Sequence, residues 1–155
     1  MLKIAAAIPH MELALAQAEA AAGRGEVPVG AVIVDSVTGK VLAAAGNRTE
    51  ELADPTAHAE VLAIREACAE RGEPRLPDCD LYVTLEPCGM CAAAISFARL
   101  RRVYFGAYDV KGGGVEHGPR FFHQATCHHA PEIYGGLEER RAAELLKEFF
   151  RRRRL

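Results

Sequence analysis

The spacing of apolar residues divides the chain into helices and strands. Near the start, five apolar positions recur at helical intervals: Met11, Ala14, Leu15, Ala18 and Ala22. This spacing predicts an amphipathic helix with Pro9 near its first turn and Gly23 at its end. Two β-rich runs, at 28–35 and 40–46, flank a Gly-containing turn and predict a β-hairpin.

The centre of the chain predicts a helix, a strand, a second helix and a second strand. Asp54 and Pro55 suit an N-cap and a first helical position, so a helix should run from there to Arg71. The elements after it are a strand over 80–86, a helix over 88–98 and a strand over 102–106. Two strands separated by a helix indicate a parallel pair joined by a right-handed crossover.

The last third of the chain combines a long loop with two further elements. Residues 107–130 carry three consecutive glycines and little periodicity, which is typical of a functional loop, with a short helix near Phe121. A strand over 132–134 and an amphipathic helix over 137–152 complete the pattern. Together the elements predict one α/β domain over residues 1–155, a three-layer α/β/α sandwich with a mixed five-stranded sheet.

Composition excludes a disordered chain, and the charge distribution adds a local feature. Half of the residues are hydrophobic and 26% are charged, which suits a single hydrophobic core. The net charge of −2 gives no general sign of a nucleic-acid-binding protein. Seven basic and two acidic residues between 140 and 155 give that segment +5, so the rest of the chain carries −7. The C-terminus is therefore predicted to form a basic patch on an acidic body.

The cysteines indicate a reducing compartment. Their number is odd and two of them are three residues apart, which suits a metal or redox site better than disulfides; they are Cys68, Cys79, Cys88, Cys91 and Cys127. The apolar start is broken too soon, by Pro9 and His10, to resemble a secretory signal. No apolar run approaches the roughly 20 residues that cross a bilayer. We therefore expect a cytoplasmic protein with no membrane partner.

Candidate chemistry lies at the predicted starts of two helices, in His58-Ala59-Glu60 and in Pro87-Cys88-Gly89-Met90-Cys91. Cysteines at i and i+3 share one face of a first helical turn, whose unpaired N–H groups favour thiolate, the form that binds Zn²⁺. Cys88, Cys91 and His58 make three ligands and leave a tetrahedral ion one open position, as in catalytic zinc sites. Glu60 can act beside that position as general acid and base.

Each half of this pair is ambiguous by itself. A lone H-x-E is more often an ordinary helix start, and a lone CxxC can be a structural zinc site, a redox dithiol or chance. A thioredoxin-like dithiol gives His58 and Glu60 no role, whereas a metal hydrolase uses all four residues. The combination favours the metal hydrolase, and the three other cysteines are then structural.

The two motifs together match the signature H-x-E…P-C-x-x-C of zinc nucleobase deaminases. Other stretches of the sequence indicate which of the zinc nucleobase deaminases it resembles most. They are residues 26–34, 46–48, 54–60, 81–91, 102–107 and the ending 149–151. On these residues, over nearly the whole chain, the sequence resembles bacterial tRNA-specific adenosine deaminases. The resemblance implies a cytidine deaminase-like fold.

The resemblance also implies an activity, the hydrolytic conversion of adenosine to inosine at the wobble position of the arginine tRNA anticodon. It implies a homodimer with one zinc ion per subunit, held by His58, Cys88 and Cys91. Glu60 would move protons from water to the purine ring as hydroxide attacks C6, and then to the departing ammonia. The substrate contacts implied in the same way are Asn47 at the base edge, Val29 packed near it, Asp109 and Lys111 in an RNA-contacting loop, and Arg154 on the basic tail.

Two other interpretations stay open on sequence. A free-base or nucleoside deaminase acting on guanine, cytosine or cytidine would carry the same motifs, although the Arg-rich terminal helix favours RNA because phosphates require such charge. A zinc-stabilised binding module without catalysis would not need Glu60. Between 112 and 130 the sequence departs from the commonest pattern of the deaminases, so its histidines receive no role from the resemblance: His117, His123, His128 and His129.

Overall fold

The structure is a computed structural model that describes residues 2–153. Its helices and strands, in chain order, are α1 (Leu2–Gly23), β1 (Gly30–Asp35), β2 (Val41–Gly46), α2 (Ala59–Arg71), β3 (Cys79–Leu85), α3 (Gly89–Ala98), β4 (Arg102–Ala107), β5 (Glu132–Tyr134) and α4 (Glu139–Arg153). A 3-10 helix at Phe121–His123 lies between β4 and β5. None of the described helices combines the length and the apolarity needed to span a membrane.

The five strands form one mixed sheet in the order β2-β1-β3-β4-β5. β1 is antiparallel to both β2 and β3, so the predicted hairpin of β1 and β2 is confirmed. β3 runs parallel to β4, with Leu81 opposite Val103 and Val83 opposite Phe105, and β4 runs parallel to β5. The strand–helix–strand unit β3-α3-β4 therefore forms the parallel pair that the sequence predicts.

Helices cover both faces of the sheet, because alternate strand residues point to opposite sides. Ile33 and Leu81 belong to the core that contains the buried alanines of α2 and α3. Their neighbours Val32 and Tyr82 belong to a second core, which contains Met11 of α1 and residues of α4. The predicted three-layer α/β/α sandwich is confirmed.

The first helix begins earlier than its hydrophobic pattern predicts. It starts at Leu2 and continues through Pro9, which lies inside the helix rather than near its beginning. A proline at this position removes one backbone N–H from the helix and crowds the preceding turn. Ala7 and Met11 are both buried, so packing against the sheet holds the turns on either side of Pro9 in place.

The predicted start of the second helix at Asp54 and Pro55 is wrong. Asp54 forms a local turn instead, in which its Oδ1 accepts hydrogen bonds from the Thr56 backbone N–H and hydroxyl at 2.8 and 2.7 Å. The helix begins at Ala59, with His58 as an N-cap residue in extended conformation (φ −74°, ψ 149°). The other predicted elements agree with the structure to within two residues at each end.

Candidate active site

The first turns of α2 and α3 bring three metal-ligating side chains together. His58 is the N-cap of α2, Cys88 is the N-cap of α3, and Cys91 lies in the first turn of α3. His58 Nδ1 lies 3.7 Å from Cys88 Sγ and 3.5 Å from Cys91 Sγ. Their ligand atoms lie within 4.8 Å of one another, and they form the one such cluster found among residues 2–153.

The spacing of these atoms fits tetrahedral zinc. With Zn–N bonds of about 2.0 Å and Zn–S bonds of about 2.3 Å, a tetrahedral site separates a nitrogen and a sulfur ligand by roughly 3.5 Å. The two N–S distances from His58 agree with that value. Two sulfurs and one imidazole leave the fourth coordination position open, as a catalytic zinc site requires.

Hydrogen bonds within the cluster favour the thiolate form of Cys88. The Cys91 thiol and the His58 ring lie against Cys88 Sγ and lower the pKa of Cys88 to about 4. The same contact with Cys88 raises the pKa of His58, and together with burial it raises the pKa of Cys91. The two cysteine sulfurs and the His58 ring nitrogen share protons through these hydrogen bonds. A divalent cation that binds the three atoms would displace those protons.

Glu60 lies beside this cluster without belonging to it. Its residue is only 4% exposed, and burial raises its pKa to about 7. Because α2 begins after His58, the extended N-cap residue and the first-turn Glu60 both reach the same pocket. The angular separation that a regular helix imposes on residues i and i+2 does not apply across a helix start.

A pocket of about 320 Å³ opens above the cluster. Its lining residues are Val27, Val29, Asn47, Thr49, His58, Glu60, Leu85, Glu86, Cys88, Asp109 and Gly112. Six residues singled out from the sequence therefore line one cavity, with Cys91 buried next to it. Lys111 is exposed and does not line this pocket, and Arg154 lies outside the described residues.

Asn47 connects the end of β2 to the start of α2. Its Oδ1 accepts a hydrogen bond from the Ala59 backbone N–H at 2.8 Å, and its own backbone N–H donates to the Val29 carbonyl at 3.1 Å. The Asn47 side chain is thus the cap that α2 receives in place of Asp54. Since its oxygen is engaged, its amide nitrogen is the donor left for a bound ligand.

Two buried glutamates that the sequence analysis gave no role organise the pocket walls. Glu26 accepts hydrogen bonds from the Thr49 hydroxyl and from the Glu50 and Glu51 backbone N–H groups. Glu86 accepts five hydrogen bonds from the loop after β4. The signal was present in the sequence as single acidic residues adjoining the apolar runs 27–34 and 81–85.

Comparison with known families identifies the class to which this site belongs. Residues 6–107 match the family described as the cytidine and deoxycytidylate deaminase zinc-binding region. The match contains His58, Glu60, Cys88 and Cys91, so the expected zinc cofactor is supported by the family and by the ligand cluster. The chain is therefore a member of the zinc-dependent deaminases.

Closer relatives narrow the family. The chain is 63% identical over 145 residues to a tRNA-specific adenosine deaminase of Agrobacterium fabrum, with 94% of each chain covered. A solved structure from a study of A-to-I editing by tRNA deaminases at the wobble position has a TM-score of 0.85 and 63% identity, covering 88% of this chain and 97% of that one. The chain belongs to the tRNA-specific adenosine deaminase family, as its resemblance implied.

A more distant likeness concerns a different substrate. The solved guanine deaminase of Bacillus subtilis is 42% identical to the chain, with a TM-score of 0.61, but the alignment covers 63% of this chain and 62% of that one. The ligand set alone therefore does not distinguish a tRNA substrate from a free base.

Proposed function

We propose that this protein deaminates adenosine to inosine by hydrolysis at the wobble position of an arginine tRNA anticodon. The observation that carries the proposal is the pocket in which His58, Cys88 and Glu60 meet, with Cys91 completing the ligand cluster. A pocket of this size with a metal cluster and an adjacent buried carboxyl group suits one nucleobase extruded from an anticodon loop. The named relatives support tRNA as the substrate.

In the proposed mechanism the chain holds the base and moves the protons. When bound by His58, Cys88 and Cys91, zinc supplies Lewis acidity that lets water lose a proton near neutral pH. Glu60 accepts that proton and delivers it to a ring nitrogen of the purine as the water oxygen bonds to C6. Glu60 then takes the proton of the new C6 hydroxyl group and gives it to the amino group, which leaves as ammonia when the C6–N bond breaks. Adenosine and water are thereby converted to inosine and ammonia, with Glu60 returned to its starting state.

The remaining contacts position the nucleotide. We assign Asn47 to the base edge through its amide nitrogen, Val29 to packing against the base, and Asp109 to the nucleotide at the pocket wall. Lys111 is exposed beyond Asp109, where a cation can meet the phosphate backbone. We assign Arg154, beyond the described end of α4, to the same electrostatic role.

The assembly we propose is a homodimer with one zinc ion per subunit, working in the cytoplasm where its tRNA substrate is found. Phe97 and Met90 on α3 support a protein–protein contact, because the exposed fractions of these large apolar residues are 72% and 37%. A second copy of the chain is the partner that the resemblance implies.

Incubation of the zinc-loaded protein with a panel of tRNAs and free bases tests the activity. We expect inosine at the wobble position of the arginine tRNA, detected by mass spectrometry as the change from amine to carbonyl. The matched control is the same tRNA with guanosine in place of the wobble adenosine. Deamination of guanine or cytidine alone would assign the protein to the free-base deaminases, and no deamination of any substrate would contradict both activities.

A further inference from the structure

Glu86 is a buried carboxylate with an unusually complete set of donors. The residue is 2% exposed and follows the last residue of β3. Its two oxygens accept the backbone N–H groups of Asp109, Val115, Glu116 and His117 at 2.9–3.2 Å, and the His117 ring nitrogen Nδ1 at 2.9 Å. The Glu86 side chain therefore binds both ends of the loop 109–117 through hydrogen bonds.

The His117 ring is the one side-chain donor in this set. An ionised carboxylate only accepts hydrogen bonds, so Nδ1 carries the proton that it donates to Glu86. The His117 ring also contacts an aromatic side chain: the Tyr108 ring meets it edge-on, with ring centroids 6.3 Å apart. The His117 imidazole thus contacts both the buried Glu86 carboxylate and the exposed Tyr108 ring.

The loop also lies tightly against the segment that carries a metal ligand. Gly114 N–H donates to the Pro87 carbonyl at 2.8 Å, one residue before Cys88. A Cβ at Gly114 would lie 2.5 Å from the Gly89 nitrogen, and a Cβ at Gly113 would overlap Glu86 Oε2. The glycines allow a backbone approach that no other residue permits.

We propose that Glu86 and His117 are positioning residues that hold Asp109 and Gly112 at the pocket wall before RNA binds. Asp109 N–H is fixed by Glu86, and Asp109 Oδ1 in turn accepts the Gly112 N–H at 2.9 Å. Both residues line the pocket, whereas His117 does not. This proposal rests on the proposed function, because it concerns the binding of the RNA nucleotide in that pocket.

The expected consequence is on substrate binding more than on the chemical step. If the loop without the His117 contact occupies its positioned state about one tenth of the time, the apparent affinity for RNA falls about tenfold. His58 and Cys88 are the N-cap residues of α2 and α3, and Glu60 and Cys91 lie in the first turns of these helices, so we expect the four residues to keep their contacts in a His117 variant. His117 therefore acts through Glu86, which holds Asp109, and does not touch the reacting atoms.

Steady-state kinetics of His117→Ala on an anticodon stem-loop test the proposal. We expect KM to rise about tenfold while kcat at saturation stays within about twofold and zinc content is unchanged. His117→Asn should restore most of the wild-type KM, because its amide nitrogen can replace Nδ1 as the donor to Glu86. The matched control is His123→Ala, an exposed histidine of the same loop region whose ring meets Arg120.

Hydrogen exchange supplies a readout that does not depend on turnover. We expect the Val115 and Glu116 amides to exchange faster in His117→Ala than in the wild type and in His123→Ala. An unchanged KM for His117→Ala with an active wild type would contradict the positioning role, and so would a fall in kcat with loss of zinc. A wild type that produces no inosine would instead contradict the proposed function on which the role depends.

Discussion

Glu60 and Glu26 both have little solvent exposure, 4% and 1%, yet their surroundings raise the pKa of Glu60 and lower the pKa of Glu26. Burial raises the pKa of Glu60 to about 7, with little opposition from its few donors. Burial acts on Glu26 in the same direction, but the backbone N–H groups of Glu51 and Glu50 outweigh it and lower the pKa overall. Two differences act together: Glu26 has more N–H donors than Glu60, and it lies nearer the protein surface, so burial opposes its ionisation less.

This difference separates two tasks within one pocket. A carboxylate supplied with several N–H donors stays ionised and fixes the loop that provides them, as Glu26 does for Thr49 and its neighbours. A carboxyl group with few donors can gain and lose a proton near neutral pH, which suits Glu60 to proton transfer. The pocket wall and the proposed proton carrier are thus built from the same residue type in different donor environments.

Replacement of Glu60 by glutamine is the strongest test of the reactive side of this comparison. Glu60→Gln keeps the shape of the side chain but cannot exchange protons, so we expect kcat to fall by at least about a hundredfold. Zinc content and melting temperature should stay close to wild type, because Glu60 is not one of the three clustered ligands. Deamination of an anticodon stem-loop, with zinc analysis of the same sample, measures both.

The matched control for this variant is Glu66→Gln, which changes an exposed glutamate on the same helix. It should deaminate at the wild-type rate. A Glu60→Gln protein that retained activity within about threefold of wild type would remove the distinction between the two glutamates, and one that lost its zinc would make Glu60 a structural residue.

The ligand cluster and Glu60, the proposed proton carrier, could be predicted from the sequence because their signals are local. His58 and Cys88 both stand at helix starts, and Cys88 and Cys91 are three residues apart, so spacing alone predicts a shared face. The predicted start of α2 failed for the opposite reason. The helix is capped by Asn47, whose Oδ1 accepts a hydrogen bond from the Ala59 N–H 12 residues later. No local sequence pattern shows that Asn47 forms the cap while Asp54 forms only a turn.

The pocket walls could not be predicted for the same physical reason. Glu86 accepts donors that are 23 to 31 residues away, and Glu26 accepts donors 23 to 25 residues away. The loop of residues 107–130 has no apolar periodicity from which its path could be inferred. Strand and helix periodicity predicted the sheet and both helical layers, because those elements bury a regular stripe.

Replacement of Glu26 by glutamine tests the structural side of the comparison and should have a smaller effect. Glu26→Gln removes the charge and turns an amide N–H₂ toward backbone donors, so we expect a loss of about 1–3 kcal/mol in the free energy of unfolding at pH 7. The folded pKa of Glu26 lies below its ordinary value of 4.5. The stabilisation is therefore present above about pH 4.5 and is lost as pH falls through the folded pKa.

Urea unfolding of wild type and variant between about pH 7 and about pH 3.5 measures this linkage. The difference in unfolding free energy should be constant above about pH 5 and should narrow below it. The matched control, Glu73→Gln in the exposed turn after α2, should follow the wild type throughout. A difference that widens toward low pH would mean that the folded pKa of Glu26 is raised, which would make its environment like that of Glu60.

The smallest effect is expected from the one side-chain hydroxyl that serves Glu26. The Thr49 hydroxyl lies 3.4 Å from Glu26 Oε1, longer than the 3.1 and 2.9 Å of the Glu50 and Glu51 N–H groups. Thr49→Val keeps the shape and both N–H donors, so we expect a loss of only about 0.5–1 kcal/mol by urea unfolding at pH 7. Thr126→Val, at an exposed position of the loop before β5, is the matched control. If Thr49→Val lost as much stability as Glu26→Gln, the hydroxyl and not the backbone donors would keep Glu26 ionised, and the contrast with Glu60 would depend on one side chain.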